Sequence, residues 1–147
     1  RLTSALRPGG WLIAEEMDFV SAVPDPRLPA DVRDLVERAV RAHNAVLSQR
    51  HGFDPFYGRR LAGDLEDAGL TEIGCEGRVF TWRGGQAGGL IWRLTLTQLR
   101  DPIIETGIMT ASDLDAFCDL CDDPGLRFQS QVTMAAWGRR SVATAGE

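Results

Sequence analysis

Three acids, Glu15, Glu16 and Asp18, follow directly on the apolar run Trp11-Leu12-Ile13-Ala14. Carboxylates at the point where a strand meets a cleft can contact a substrate or act as a general base. Glu16 and Asp18 are the preferred pair, and the plain alternative is a solvated strand end. His43 lies on the apolar side of a helical pattern, where it could face a pocket from a lid-like insert or simply pack. Tyr57 and Arg59 open a second helical pattern and could touch a substrate or a ligand carboxylate; a helix start explains them equally. Trp92, with Phe80, Trp82 and Phe117, could line an apolar pocket, core packing being the default for each. The candidate substrate-binding set is therefore Glu16, Asp18, His43, Tyr57 and Trp92, and no catalytic residue is assigned.

Other chemistries are bounded more tightly. Cys118 and Cys121 have redox or metal spacing, but they fall inside a predicted helix and no second Cys/His pair completes a zinc set. No metal site is expected. All 16 basic residues are Arg, so phosphate-binding, Schiff-base or catalytic lysines do not occur. The net charge of −5 does not favour nucleic acid or an anionic membrane as partner. No window approaches the ~20 apolar residues of a membrane span, and no secretory leader is visible. With three cysteines and no secretory context, reduced thiols and a cytoplasmic location are the expectation.

The elements that must position these residues are legible from periodicity and punctuation. Leu2, Ala5 and Leu6 fall at helical spacing and stop at Arg7-Pro8-Gly9-Gly10. The run 11–14 reads as a strand buried on both faces of a parallel sheet, its carboxyl end carrying the acids. Pro24, Asp25, Pro26 and Pro29 mark 21–30 as loop. A helix is predicted over 30–50, with Val32, Leu35, Val36, Ala39, Val40, His43, Val46 and Leu47 on one face. A second helix is predicted over 57–68 with Gly69 as its cap, and a strand over 71–82 with an irregularity at Gly74 or Gly77. Residues 87–106 read as a helix interrupted by Pro102. Thr110 or Ser112 caps another that ends near Asp123-Pro124-Gly125. A last strand is expected over 127–137, and a flexible tail over 141–147. The length suggests one domain, 1–140.

Three segments resemble one family. Leu6-Arg7-Pro8-Gly9-Gly10, leading into Trp11-Leu12-Ile13-Ala14-Glu15-Glu16, is similar to the turn before the fifth strand of class I S-adenosylmethionine (SAM)-dependent methyltransferases. The stretch from Gly58 to Leu70, with Glu66-Asp67-Ala68-Gly69-Leu70 at its end, resembles the helix before the sixth strand. Met134-Ala135-Ala136-Trp137-Gly138-Arg139-Arg140 resembles the seventh strand. Together they cover nearly the whole chain, and their order carries more weight than any one of them.

The resemblance implies an α/β fold: a partial Rossmann-like methyltransferase sheet of strands five to seven with helical inserts, the N-terminal half being absent. The family's glycine-rich SAM loop and its ribose-binding acid would both precede Arg1. Gly84-Gly85 and Gly88-Gly89 follow the wrong element at the wrong spacing to replace that loop. The expected cofactor is SAM in the full-length protein and none for this chain alone, which by itself should be inactive. The implied function is transfer of a methyl group to a small-molecule acceptor, with these residues supplying mainly the acceptor-pocket side. The alternatives are a non-catalytic ligand-binding or dimerisation module derived from the same fold, and an unrelated α/β domain, the latter favoured if the strand at 11–17 is not parallel. Without a fourth strand, residues 11–17 would expose an apolar edge. Self-association or pairing with a complementary N-terminal half is therefore expected.

Overall fold

A computed structural model describes residues 2–142. The fold is mixed α/β, and the chain divides into two compact units. The first takes the described residues of Arg1–Asp18, Phe56–Arg78 and Val132–Glu147; the second takes Phe19–Pro55 and Val79–Gln131.

In the first unit, a short helix α1 (Leu2–Ala5) leads through the Pro-Gly-Gly turn into strand β1 (Trp11–Asp18). Gly9 sits at φ 77°, a left-handed conformation that glycine adopts without a Cβ penalty. Helix α2 (Ala30–His51) belongs to the second unit; in the first, a 3-10 turn (Tyr57–Arg60) runs into α3 (Leu61–Asp67). Gly69, at φ 79°, then turns the chain into β2 (Leu70–Arg78). The last strand, β5 (Val132–Arg140), lies between the other two in the order β1-β5-β2 and is antiparallel to both. β1 and β2 consequently run in the same direction. Leu61 and Leu65 of α3 bury one face of this sheet against Leu70 and Ala136, with Leu12, Ala14, Ile73 and Met134 packed around them.

One expectation for β1 is corrected. It is not buried on both faces of a parallel sheet: its only strand partner among the described residues is β5, antiparallel, and its exposure alternates along its length. A helix covers one face only, so Trp11, Ile13 and Met17 remain exposed on the other. The acids do lie at the carboxyl end of the strand. The ladder continues to Asp18 opposite Val132, so Glu15, Glu16 and Asp18 belong to β1 itself and alternate between its faces.

The expected irregularity in β2 falls between Thr71 and Gly74, where the register shifts. Glu72 there takes φ 53°, with its carboxylate bonded to the Arg139 guanidinium at 3.0 Å. Across the sheet end, Gly9 N–H donates to the Arg140 carbonyl at 2.8 Å, and Arg140 N–H donates to the Gly10 carbonyl at 2.9 Å. Arg139 Nε donates to the Gly9 carbonyl at 3.0 Å, while Arg140 Nη1 donates to the carbonyls of Ser4 and Leu6. The terminal Gly-Arg-Arg of β5 thus holds the Pro-Gly-Gly turn and bonds the carbonyls of Ser4 in α1 and of Leu6 just after it.

In the second unit, α2 (Ala30–His51) is the long amphipathic helix its periodicity predicts, closed by Gly52 at φ 59°. Strand β3 (Thr81–Arg83) leads to α4 (Ala87–Gln98), α5 (Arg100–Glu105) and α6 (Ala111–Asp122), and β4 (Arg127–Gln129) returns antiparallel to β3. Thr110 caps α6 in a capping box with Asp113. The core joins Val36, Ala39, Ala42 and Val46 of α2 to Trp92, Leu96, Ile103, Leu114, Phe117 and Phe128.

The predicted strands 71–82 and 127–137 are each broken in two, at Val79-Phe80 and at Ser130-Gln131. The two breaks are bonded together: Ser130 N–H donates to the Phe80 carbonyl at 2.8 Å, and Phe80 N–H donates to the buried Ser130 hydroxyl at 2.9 Å. The predicted helix 87–106 divides at Leu99. Pro102 falls in the first turn of α5, where its missing N–H would have no partner in any case. Ser141 and Val142 follow β5 outside any regular element, and the remainder of the expected tail, 143–147, lies outside the described residues. No helix of the described residues is long and apolar enough to cross a membrane.

Candidate functional site

The five candidate residues separate into two groups, one in each unit. Glu16, Asp18 and Tyr57 belong to the first; His43 and Trp92 belong to the second.

The first group gathers at the carboxyl end of β1. Asp18 is buried, and both of its carboxylate oxygens accept from Arg59, at 2.6 Å from Nε and 2.8 Å from Nη2. A planar guanidinium meets a carboxylate best in this two-point geometry. The Arg59 guanidinium also lies 5.0 Å from the centroid of the Phe56 ring. What lets the turn carrying Arg59 come this close is Gly58. A Cβ there would stand 3.0 Å from the Met17 carbonyl oxygen, 3.1 Å from that of Glu16 and 2.9 Å from Met134. Tyr57 is half-buried beside Arg60, whose guanidinium is 5.6 Å from the ring. Its hydrogen bond to the Asp64 carboxylate, aided by burial, raises the phenol above its ordinary 10. Glu16 is half-buried, whereas Glu15 points to the open face of the sheet. Tyr57 packs against the Leu61–Leu65 cluster, and Asp18 is committed to Arg59 through both oxygens.

The second group is aromatic. The His43 ring lies 5.1 Å from Phe19 and 5.2 Å from Trp92, and its Nδ1 is 3.2 Å from the Asn44 side-chain oxygen. Burial pushes the imidazole below its ordinary 6.5, so the neutral form is held. Trp92 is buried and meets Phe19, Phe117 and Phe128 edge-on at 6.4–6.5 Å. A cavity of about 10 Å³ remains between Val36, Val40, Trp92, Phe117 and Phe128. That is room for about one water, but apolar walls supply no partner for it. His43 and Trp92 therefore meet, as packed core. Of the accessory aromatics, Phe117 is core, Trp82 is half-buried edge-on to Phe128 at 5.8 Å, and Phe80 is exposed.

A larger surface pocket of about 380 Å³ opens in the second unit between Val23, Pro24, Asp25, Arg27 and Phe128. Arg27 bonds the Asp25 carboxylate from its backbone N–H and its guanidinium, which holds that acid well below the usual carboxylate range. In sequence this stretch reads only as loop. The signal was the proline spacing: Pro24, Pro26 and Pro29 fix φ and stiffen a loop enough to wall a pocket.

The glycines do not form a cofactor cradle. A Cβ on Gly84 would stand 2.0 Å from the Asp123 carbonyl, one on Gly88 2.3 Å from the Trp82 ring, and one on Gly89 2.4 Å from the Cys121 carbonyl. These residues are small because α4 packs against Trp82 and α6, which leaves no backbone concavity for SAM. Gly84, Gly88 and Gly89 therefore do not offer that cofactor a glycine cradle. Cys121 lies in the same contact, fully buried, and its thiol is pushed up to about 12 by desolvation. Among the described residues, no group of three or more His, Cys, Asp or Glu side chains gathers as a metal site.

No protein-family model matches this chain, and no curated protein matches its sequence.

Proposed function

We propose that these residues form part of a class I SAM-dependent methyltransferase, supplying the acceptor-pocket side for methyl transfer to a small molecule. On this reading the three-stranded sheet is the family's strands five to seven within a Rossmann-like sheet. The observation that carries the reading is that the three family-like segments are one physical assembly. The first and third contain two strands of a single sheet, the second is the helix α3 that packs on it and leads into β2, and the Pro-Gly-Gly turn is gripped by Gly138-Arg139-Arg140, with Leu70 paired to Arg140 beside it. On this proposal Glu16 and Tyr57, at the carboxyl end of β1, take the position where ligands bind in open α/β sheets.

SAM itself is bound, on this proposal, by residues outside this chain. The net charge of −5 favours a small molecule over nucleic acid as acceptor. The test is methyl-labelled SAM incubated with the protein from the full reading frame that contains these residues, together with a small-molecule extract. Label entering the small-molecule fraction is expected; label confined to nucleic acid or protein, or no transfer, overturns the assignment.

Two observations favour other readings. Asp18 is occupied by Arg59 and His43 is walled in by aromatic rings, which suits a non-catalytic module of the same ancestry. The antiparallel pairing of β1 suits an unrelated α/β domain. Absence of SAM binding by the full protein would favour either over the enzyme.

A further inference from the structure

We propose that the surface pocket of the second unit binds a small phosphomonoester, its phosphate held by Arg83 and Arg127. These two arginines stand directly opposite one another in the register of β3 and β4. Residues 23–25 extend the same sheet on the other side of β4. Gln129 N–H donates to the Val23 carbonyl at 2.8 Å, and Asp25 N–H donates to that of Arg127 at 2.9 Å. Between them Pro24 bridges to Phe128, and both are buried. Strand alternation then sets two rows on the outer face. One is Val23, Gln129 and Thr81; the next is Asp25, Arg127 and Arg83. The first row lines the pocket of about 380 Å³, together with Asp25 and Arg27.

The charges of the second row select the ligand. Like charges directly opposite across a ladder have Cβ atoms about 5 Å apart and destabilise the pair. Among the described residues, neither the Arg83 nor the Arg127 guanidinium is ion-paired. Asp25 is the acid beside Arg127, but Arg27 already holds its carboxylate at 2.6 Å. Hydrogen bonds from Arg27, with a smaller contribution from the Arg127 charge, keep Asp25 ionised well below the usual carboxylate range. At the end of α6, Asp122 pairs with Arg93 at 3.4 Å, and Asp123 accepts from Gly125 N–H at 2.7 Å. Arg27, Arg83 and Arg127 against Asp25 leave this face positive, in a chain whose net charge is −5. One guanidinium is enough for a carboxylate here: Arg27 meets both oxygens of Asp25, and Arg59 both of Asp18. Two unopposed guanidiniums suit an anion with more oxygens and more charge. A phosphomonoester brings three acceptor oxygens and about −1.5 to −2 charge at pH 7. It can take a two-point contact from one arginine and a further bond from the other. The pocket has the size of a small-molecule site. Val23, Pro26, Thr81 and Gln129 offer the remainder of the ligand apolar contact and hydrogen bonds. None of this depends on methyl transfer.

The test is calorimetric titration of the 147-residue chain with phenyl phosphate, inorganic phosphate and benzoate, at neutral pH and fixed ionic strength. Phenyl phosphate is expected to bind roughly tenfold or more tightly than either of the others, through charge-assisted bonds to two arginines. Arg83→Gln and Arg127→Gln should each weaken it by about tenfold or more. Arg41→Gln, which changes an exposed arginine of α2 outside the pocket, should leave it unchanged. Because Arg83→Gln removes a repulsion, its thermal midpoint without ligand should equal or exceed that of the wild type. That separates lost binding from lost folding, and a lower midpoint would contradict the opposed pair. No binding of phenyl phosphate by the wild type overturns the proposal, as does binding indifferent to Arg83→Gln or benzoate bound as tightly. Inorganic phosphate bound as tightly as phenyl phosphate would remove the pocket from the site. Tighter binding of a single-stranded oligonucleotide, lost in the same variants, would overturn the small-molecule ligand.

Discussion

One substitution, glycine to alanine, should act with opposite sign at two helical positions. At Gly88, near the start of α4, an added Cβ would stand 2.3 Å from Trp82 Cγ and 2.4 Å from Cδ2. That is about 1 Å inside ordinary van der Waals contact, deep in the repulsive wall. Trp82 cannot retreat freely, because its ring meets Phe128 edge-on at 5.8 Å and Phe128 is itself buried against Trp92. Overpacking of this kind costs about 1–3 kcal/mol, while alanine returns up to ~1 kcal/mol of helix propensity. The net expectation for Gly88→Ala is a loss of about 1–2 kcal/mol, or roughly 2–8 °C in Tm. At Gly63, within α3, nothing lies within 4 Å of the added Cβ. Only the propensity gain applies there, so Gly63→Ala should add about 0.5–1 kcal/mol. Thermal unfolding followed by circular dichroism reads both. Refutation would be Gly88→Ala matching or exceeding the wild type, or Gly63→Ala falling below it.

Two further perturbations probe the candidate residues. Arg59→Gln leaves the buried Asp18 carboxylate without its guanidinium. Because the Arg59 side chain is 53% exposed, the loss should be about 1–3 kcal/mol rather than the full 3–5 of a buried pair. Adding Asp18→Asn should recover part of it, and an unchanged urea midpoint in Arg59→Gln would show that the pair contributes nothing. His43, pushed below 6.5 by burial, binds its proton more readily in the unfolded chain. Its contribution to stability is therefore intact above pH ~6.5 and is lost as pH falls toward the lower folded value. Urea midpoints measured from pH 8 to 5 should fall less steeply in His43→Phe than in the wild type; superimposable profiles would contradict the assignment.

What was legible in the sequence was local. The span of α2 follows from apolar residues at helical spacing from Val32 to Leu47 and from Gly52, whose left-handed φ closes the helix. The cap of α6 follows from Thr110 and Asp113, three residues apart. An irregularity in β2 was marked by Gly74 or Gly77, and the register shift falls between Thr71 and Gly74, over which the Trp137 ring lies. What escaped was set by residues distant in the chain. The run Trp11-Leu12-Ile13-Ala14 reads the same in a central strand and in an edge strand, and only the placement of β5 and α3 decides which. The breaks at Val79-Phe80 and Ser130-Gln131 depend on a bond between residues 50 apart. The candidate residues behaved alike: Asp18 met Arg59 across 41 positions, and His43 joined Trp92 in a core far from Glu16 in the chain. Residue types identified the groups capable of chemistry, but nothing local showed which of them another side chain would occupy.

The central claim, membership of a SAM-dependent methyltransferase with the cofactor held outside this chain, is tested most directly by calorimetric titration of SAM. The account predicts binding by the protein from the full reading frame and no heat of binding from the 147-residue chain alone. Failure of the full protein to bind SAM, or tight binding by the 147-residue chain, would contradict it.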